Sequence, residues 1–127
     1  MKLGPRQKQW VEDIPLYEQA KGMLCDGKGF CCLGVYAHTQ INEPWDIADI
    51  NEWCYSDGLS STSTNLFEND WKRLRLRSGI GQFKSIIFWK GKQYETLIDL
   101  NDSFEITPEE MAQFIQDNAD NIFTRAA

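Results

Sequence analysis

Four cysteines and one histidine are the residues of this 127-residue chain that are best suited to nucleophilic or metal chemistry. Cys31 and Cys32 are adjacent, and a thiol becomes a strong nucleophile where a helix N-terminus lowers its pKa and a base lies nearby. In a helix over 33–38, His38 would stand about 9 Å along the axis from Cys32, whereas proton transfer requires about 3 Å. A cysteine-dependent hydrolase is therefore only our third hypothesis, and we expect reduced thiols that serve as packing groups.

Metal binding is also disfavoured by the spacing of the candidate ligands. The donors for zinc would be Cys25, Cys31, Cys32, Cys54 and His38. Structural zinc sites usually take two sulfurs from one Cys-x2-Cys turn, which is missing here, and adjacent cysteines on a strand point to opposite faces. Asp99, Asp102 and Glu105 could form a carboxylate cluster for magnesium. Such a site usually also takes substrate phosphates as ligands, and the sequence has no glycine-rich loop that would bind them. We expect no metal and no cofactor.

Basic residues are concentrated in one segment, although the chain carries a net charge of −6. We expect most of them to pair with acidic groups elsewhere in the fold, and the alternative is a surface patch for an anionic partner. Aromatic residues interleave with the cations, as on surfaces that bind single-stranded nucleic acid, but the overall acidity argues against such a ligand. Between Trp71 and Lys92 there is no acidic residue and seven basic ones: Lys72, Arg73, Arg75, Arg77, Lys84, Lys90 and Lys92.

The length, with 42% hydrophobic and 25% charged residues, predicts a single folded domain over 1–127. The N-terminal half predicts a helix over 6–14 that Pro15 ends, and then a small β-hairpin around the Asp-Gly turn of residues 26–29. A short helix over 33–38 follows. Residues 39–65 read as a loop that its large apolar side chains, Trp45 and Trp53 among them, attach to the core.

The C-terminal half predicts a helix that Thr64 or Asn65 caps and that ends at Ser78-Gly79. A hairpin of strands 83–89 and 94–100 should follow, with the first strand interior and covered on both faces. We interpret residues 101–103 as an Asx-type turn rather than a ligand site. Thr107, Pro108 and Glu110 predict the capped start of an amphipathic final helix. The fold class is α+β, with a mainly antiparallel sheet of three to four strands and helices at both chain ends.

Three segments of the chain stand out: residues 17–24, residues 29–35 with a Cys-Cys-Leu-Gly-Val string, and Leu100-Asn101-Asp102 before the final helix. Together they resemble a family of small, uncharacterised proteins encoded by phages, prophages and some bacteria. The resemblance implies a mobile-element origin and carries over no catalytic residue.

We therefore expect a non-enzymatic accessory protein that binds and modulates or inhibits a host protein or defence complex, in the host cytoplasm and without membrane attachment. The alternative is a binder of a small ligand, nucleotide or nucleic acid that uses the basic and aromatic segment 71–92. Interfaces rely on aromatic and arginine anchors. The candidate binding residues are Trp45, Trp53, Trp71, Lys72, Arg73, Arg75 and Arg77.

Overall fold

A computed structural model describes residues 1–22, 29–40, 66, 68–103 and 105–127, and within them the chain is an α+β fold. The described residues form six α-helices and one two-stranded antiparallel sheet. The elements are α1 (Pro5–Asp13), α2 (Cys32–Gln40), α3 (Glu68–Arg73), β1 (Gln82–Trp89), β2 (Lys92–Thr96), α4 (Leu97–Asn101), α5 (Pro108–Asp117) and α6 (Ala119–Ile122). No described helix has the length and apolarity needed to cross a bilayer.

The core forms where α1, α2, α5 and α6 meet. Trp10 of α1 is fully buried, donates from Nε1 to the Cys32 carbonyl at 2.7 Å, and packs edge-on against Phe123 at 6.1 Å between ring centroids. A buried indole N–H needs such a partner, because leaving it unpaired would cost stability. The predicted N-terminal helix is confirmed, and a short 3-10 turn, Ile14–Leu16, follows it where Pro15 was expected to stop it.

The ends of two helices follow capping chemistry. The Thr107 hydroxyl accepts the Glu110 N–H at 3.1 Å and Glu110 Oε1 accepts the Thr107 N–H at 3.2 Å, so the predicted cap of α5 is confirmed. Helix α3 ends earlier than the predicted Ser78-Gly79. Arg75 has a φ of 65° there, and the N–H groups of Arg75 and Leu76 donate back to the Lys72 and Trp71 carbonyls. This is a Schellman motif, with arginine where glycine is usual.

The sheet differs from the prediction in three ways. Only two strands occur in the described residues. Residues 23–28 of the predicted first hairpin lie outside the described residues. Phe30, which follows them, forms a single parallel bridge with Gln19. The predicted second strand ends at Thr96, because its hydroxyl accepts the Asp99 N–H at 3.0 Å and so starts α4. Strand β1 is not covered on both faces: Ile86 is 48% and Phe88 67% exposed.

Two glycines with positive φ allow a matched test of this packing. Gly81 has a φ of 71° and Gly91 one of 80°. A Cβ on Gly81 would lie 2.7 Å from Leu97 Cδ1, whereas one on Gly91 would meet nothing within 4 Å. We expect Gly91→Ala to lower the free energy of unfolding by about 1 kcal/mol through backbone strain alone. Gly81→Ala should cost about 1–3 kcal/mol more, because overpacking is added to the strain. Urea denaturation measures both, and equal losses would contradict the close approach of Gly81 to Leu97.

Candidate functional site

The two adjacent thiols are buried at the start of α2. Cys31 and Cys32 are 0% and 2% exposed, and both are free cysteines. Cys31 Sγ accepts the Gly34 N–H at 3.4 Å, so it caps the helix much as a serine hydroxyl would. Burial raises the pKa of Cys31 to about 12 despite the lowering effect of the Gly34 and Leu33 N–H groups, and burial likewise raises the pKa of Cys32. Loss of solvation therefore outweighs the helix N-terminus, and the neutral thiol is favoured.

The single histidine lies in an aromatic stack. The His38 ring stacks on Phe30 at 4.5 Å between centroids and stands edge-on to Tyr17 at 5.4 Å. Burial lowers the pKa of His38, because desolvation disfavours the charged imidazolium. In the described residues no cluster of three or more histidine, cysteine or acidic side chains is arranged to hold a metal ion. Cys25 and Cys54 lie outside those residues.

Asn101 is a buried junction of three chain segments rather than the local turn that the sequence predicted. Its side chain is 1% exposed, and Nδ2 donates to the Ala20 carbonyl at 2.8 Å. Oδ1 accepts the Cys32 N–H at 3.1 Å and Gln19 Nε2 at 3.2 Å. Asn101 therefore joins α4 to residues 19–20, next to the bridge between Gln19 and Phe30, and to the first turn of α2, whose free N–H groups need acceptors.

Two neighbours of Asn101 extend this junction. Lys21 Nζ donates to the carbonyl oxygens of Asn101, at 2.8 Å, and of Ser103. Asp102 Oδ1 accepts the Gly22 N–H at 2.8 Å. Burial lowers the pKa of Lys21, with Asp102 opposing the shift. Since the polar groups of this junction bond to one another, we interpret it as a structural clamp rather than a ligand site.

The predicted basic binding residues are divided between different environments. Trp71 is half-buried against the core, and Lys72 is exposed and forms an ion pair with Glu68. Arg73 is exposed. Two further arginines are half-buried beside the C-terminal segment: the Arg75 carbonyl accepts the Thr124 N–H at 2.9 Å, and Arg77 Nη2 donates to the Phe123 carbonyl at 3.3 Å. Trp45 and Trp53 lie outside the described residues.

Among the described residues, two large apolar side chains close to each other in the sequence are exposed on the hairpin. Ile86 and Phe88 are two residues apart on β1, which places them on one face of the strand. A register shift between Gln82 and Ile87 forms a bulge, so the buried side chains are Phe83 and Ile87. This surface was not predicted from the sequence, because the apolar run of β1 resembles that of an interior strand.

An open groove of about 240 Å³ runs between the end of β1 and α5. Lys90 Nζ pairs with Glu110 at 3.0 Å and lies 4.6 Å above the Trp89 ring. Lys84 and Lys92 are exposed and form no ion pair with another described residue. The lining residues are Phe88, Trp89, Glu110, Gln113, Phe114, Asp117 and Asn118. The exposed apolar face of β1 therefore lies next to a groove whose rim carries both positive and negative side chains.

The clamp predicts a large effect of a single amide. Asn101→Ala should lower the free energy of unfolding by about 3 kcal/mol, because a buried donor and acceptor are lost and the Cys32 N–H and Ala20 carbonyl remain buried without that partner. Asn69→Ala, at an exposed position of α3, is the control and should change stability by less than about 0.5 kcal/mol. Chemical denaturation measures both. A loss below 1 kcal/mol at Asn101 would show that water replaces the amide without penalty.

Thiol burial predicts slow alkylation. In a Cys25→Ser/Cys54→Ser background only Cys31 and Cys32 can react. We expect iodoacetamide at pH 8 to label them no faster than the protein unfolds, because only exposed thiolate reacts. Mass spectrometry over time, with and without urea, measures the rates. Labelling of the native protein as fast as that of free cysteine would restore the hydrolase hypothesis.

Comparisons of the chain with known protein families, with curated proteins and with solved structures find no match. The features of the described residues that bear on function are therefore the buried thiols, the clamp at Asn101 and the exposed surface of the hairpin.

Proposed function

We propose that this protein acts by binding another protein, as a non-enzymatic accessory protein of a phage or other mobile element that modulates a host protein. One observation carries the proposal: Ile86 and Phe88, 48% and 67% exposed, lie together on β1 beside an open groove. Exposed apolar groups that adjoin one another and have a polar rim mark protein interaction sites, whereas scattered single ones need no explanation.

The composition of this surface favours a protein ligand over nucleic acid. Phe88 offers an exposed ring, but Ile86 beside it is aliphatic and offers no second ring on which a base could stack. The groove is lined by the carboxylate of Asp117, whose charge no cation of the described residues balances there and which would repel phosphates. An apolar centre surrounded by charges of both signs is the usual anatomy of a protein interface. The lysines of the hairpin contribute to this rim rather than to a continuous cationic track.

Burial of Cys31 and Cys32 supports a non-enzymatic role, since their raised thiol pKa values leave little thiolate for nucleophilic attack near neutral pH. The mobile-element origin rests on the family resemblance of the sequence alone. Gln19 and Lys21 of its first segment and Cys32 of its second each bond to Asn101 of its third, so the three segments contact one another in the fold.

The binding surface can be tested by photo-crosslinking. We expect p-benzoylphenylalanine at position 88 to crosslink a protein in the cells that carry the gene, because a partner covers this side chain. The captured protein is then purified, and its Kd for the unmodified chain is measured by calorimetry. Ile86→Ser/Phe88→Ser should weaken that Kd at least about tenfold, as removal of an apolar anchor does at an interface.

Leu16 supplies the matched control. It is 74% exposed on the 3-10 turn that follows α1, so the same label and a Leu16→Ser variant test an apolar side chain outside the proposed surface. Crosslinking from position 16 should not capture the partner, and Leu16→Ser should leave the Kd unchanged. An unaltered Kd in the hairpin variant contradicts the proposal. So does micromolar binding of a single-stranded oligonucleotide that Lys84→Ala/Lys92→Ala abolishes.

A further inference from the structure

The turn of the hairpin determines which main-chain groups of β1 face outward. Lys90 and Gly91 have φ values of 47° and 80°, as in a type I′ turn, and Trp89 pairs with Lys92 across it. The two residues that flank such a turn exchange both of their main-chain hydrogen bonds. The next pair, Phe88 and Gln93, is therefore a non-hydrogen-bonded pair. Its N–H and C=O groups point away from the partner strand.

The outward N–H and C=O of Phe88 have no hydrogen-bond partner in the described part of the chain. At the other end of the bulge the edge is closed, because Asn121 Oδ1 accepts the Ser85 N–H at 2.8 Å. The free edge of β1 is thus short and spans residues 86–88. Because Phe88 also lines the groove toward α5, this edge and the groove adjoin.

The groove combines an apolar floor with one uncompensated charge. Phe114 is 5% exposed and packs against Phe83 at 5.8 Å between ring centroids, which holds the floor in place. Lys90 pairs with Glu110. Asp117 accepts its hydrogen bond from the neutral Gln113 amide at 2.9 Å, so its negative charge is not balanced there. A ligand that fits this groove has apolar side chains and a cationic one.

We propose that the edge of β1 binds an extended segment of the partner protein as an added strand, in the groove between β1 and α5. The partner's main chain pairs with Phe88, an apolar side chain packs over Phe88 and Phe114, and a lysine or arginine faces Asp117. Main-chain pairing supplies affinity in this mode, and alternate side chains supply specificity. This inference rests on the proposed function, since it states how the hairpin surface recognises its partner.

The probe is a displayed library of linear random peptides selected on the full chain. We expect enriched peptides to carry apolar residues at alternate positions with one lysine or arginine. Asp117→Asn should weaken their binding about threefold to tenfold. The Phe88 amide should be open to hydrogen exchange in the free protein and protected at least tenfold by NMR when a peptide is bound.

Proline substitutions test the main-chain contact. Phe88→Pro removes an outward N–H that the hairpin itself does not use, and Phe88→Ala removes the side chain but keeps that N–H. We expect Phe88→Pro to weaken peptide binding at least tenfold more than Phe88→Ala does. Gln93→Pro, which removes the equivalent N–H on the opposite edge, should have no effect. Circular dichroism and the thermal midpoint check that each variant is folded, and an N-methylated peptide tests the same bond in the unaltered protein.

The outcomes separate the two proposals. Peptides that need Ile86 and Phe88 but tolerate Phe88→Pro and N-methylation would overturn strand addition and leave the hairpin surface as the binding site. If no peptide is selected but a partner is crosslinked at position 88, strand addition is likewise overturned and the hairpin surface is kept as the binding site, because the surface would then recognise a folded protein. A dimer of this chain that Phe88→Pro dissociates would overturn the inference, since the edge would be occupied by a second copy.

Discussion

The fold depends on one buried amide that must be satisfied by distant parts of the chain. Asn101 has almost no contact with solvent, so each polar atom of its side chain needs a partner within the protein. Those partners are the Ala20 carbonyl, the Gln19 side chain and the Cys32 N–H, which lie 69 to 82 residues away in sequence. The position of α4 therefore fixes both the bridge between Gln19 and Phe30 and the start of α2.

The same constraint explains why burial of two adjacent cysteines at a helix N-terminus favours the neutral thiol. Asn101 supplies the acceptor for Cys32, and the Cys31 sulfur accepts the N–H of Gly34. Both N–H groups are satisfied in the interior, and the site has no solvent to stabilise a thiolate. A helix N-terminus favours an anion by a fraction of a kcal/mol to about 2 kcal/mol, whereas burial of a charge costs more. The cysteines therefore serve the packing of α2.

Local signals in the sequence predicted the helices better than the sheet. Thr107, Pro108 and Glu110 act within one turn, so their spacing alone was enough to predict the start of α5. The period-two alternation over 94–100 predicted a strand over all seven residues. The strand instead ends at Thr96, because the Thr96 hydroxyl caps α4. The role of Asn101 could not be predicted, because an Asn-Asp pair forms local turns as readily as it bonds to remote segments. The placement of Trp45 and Trp53 stays a prediction.

The exposed face of β1 follows from the bulge rather than from any weakness of the core. Phe83 and Ile87 are buried, whereas the three residues between them are all exposed, so burial does not alternate along this part of β1. Ile86 and Phe88, on either side of Ile87, are therefore exposed to solvent. An exposed strand edge invites unwanted pairing, and lysines usually prevent it. Lys84, Lys90 and Lys92 flank this edge, yet the apolar residues between the first two are retained. Charges at the ends of an apolar centre disfavour indiscriminate pairing, because like charges on two copies repel. The proposed strand addition requires that combination, since a partner segment of complementary charge meets no such repulsion at this edge.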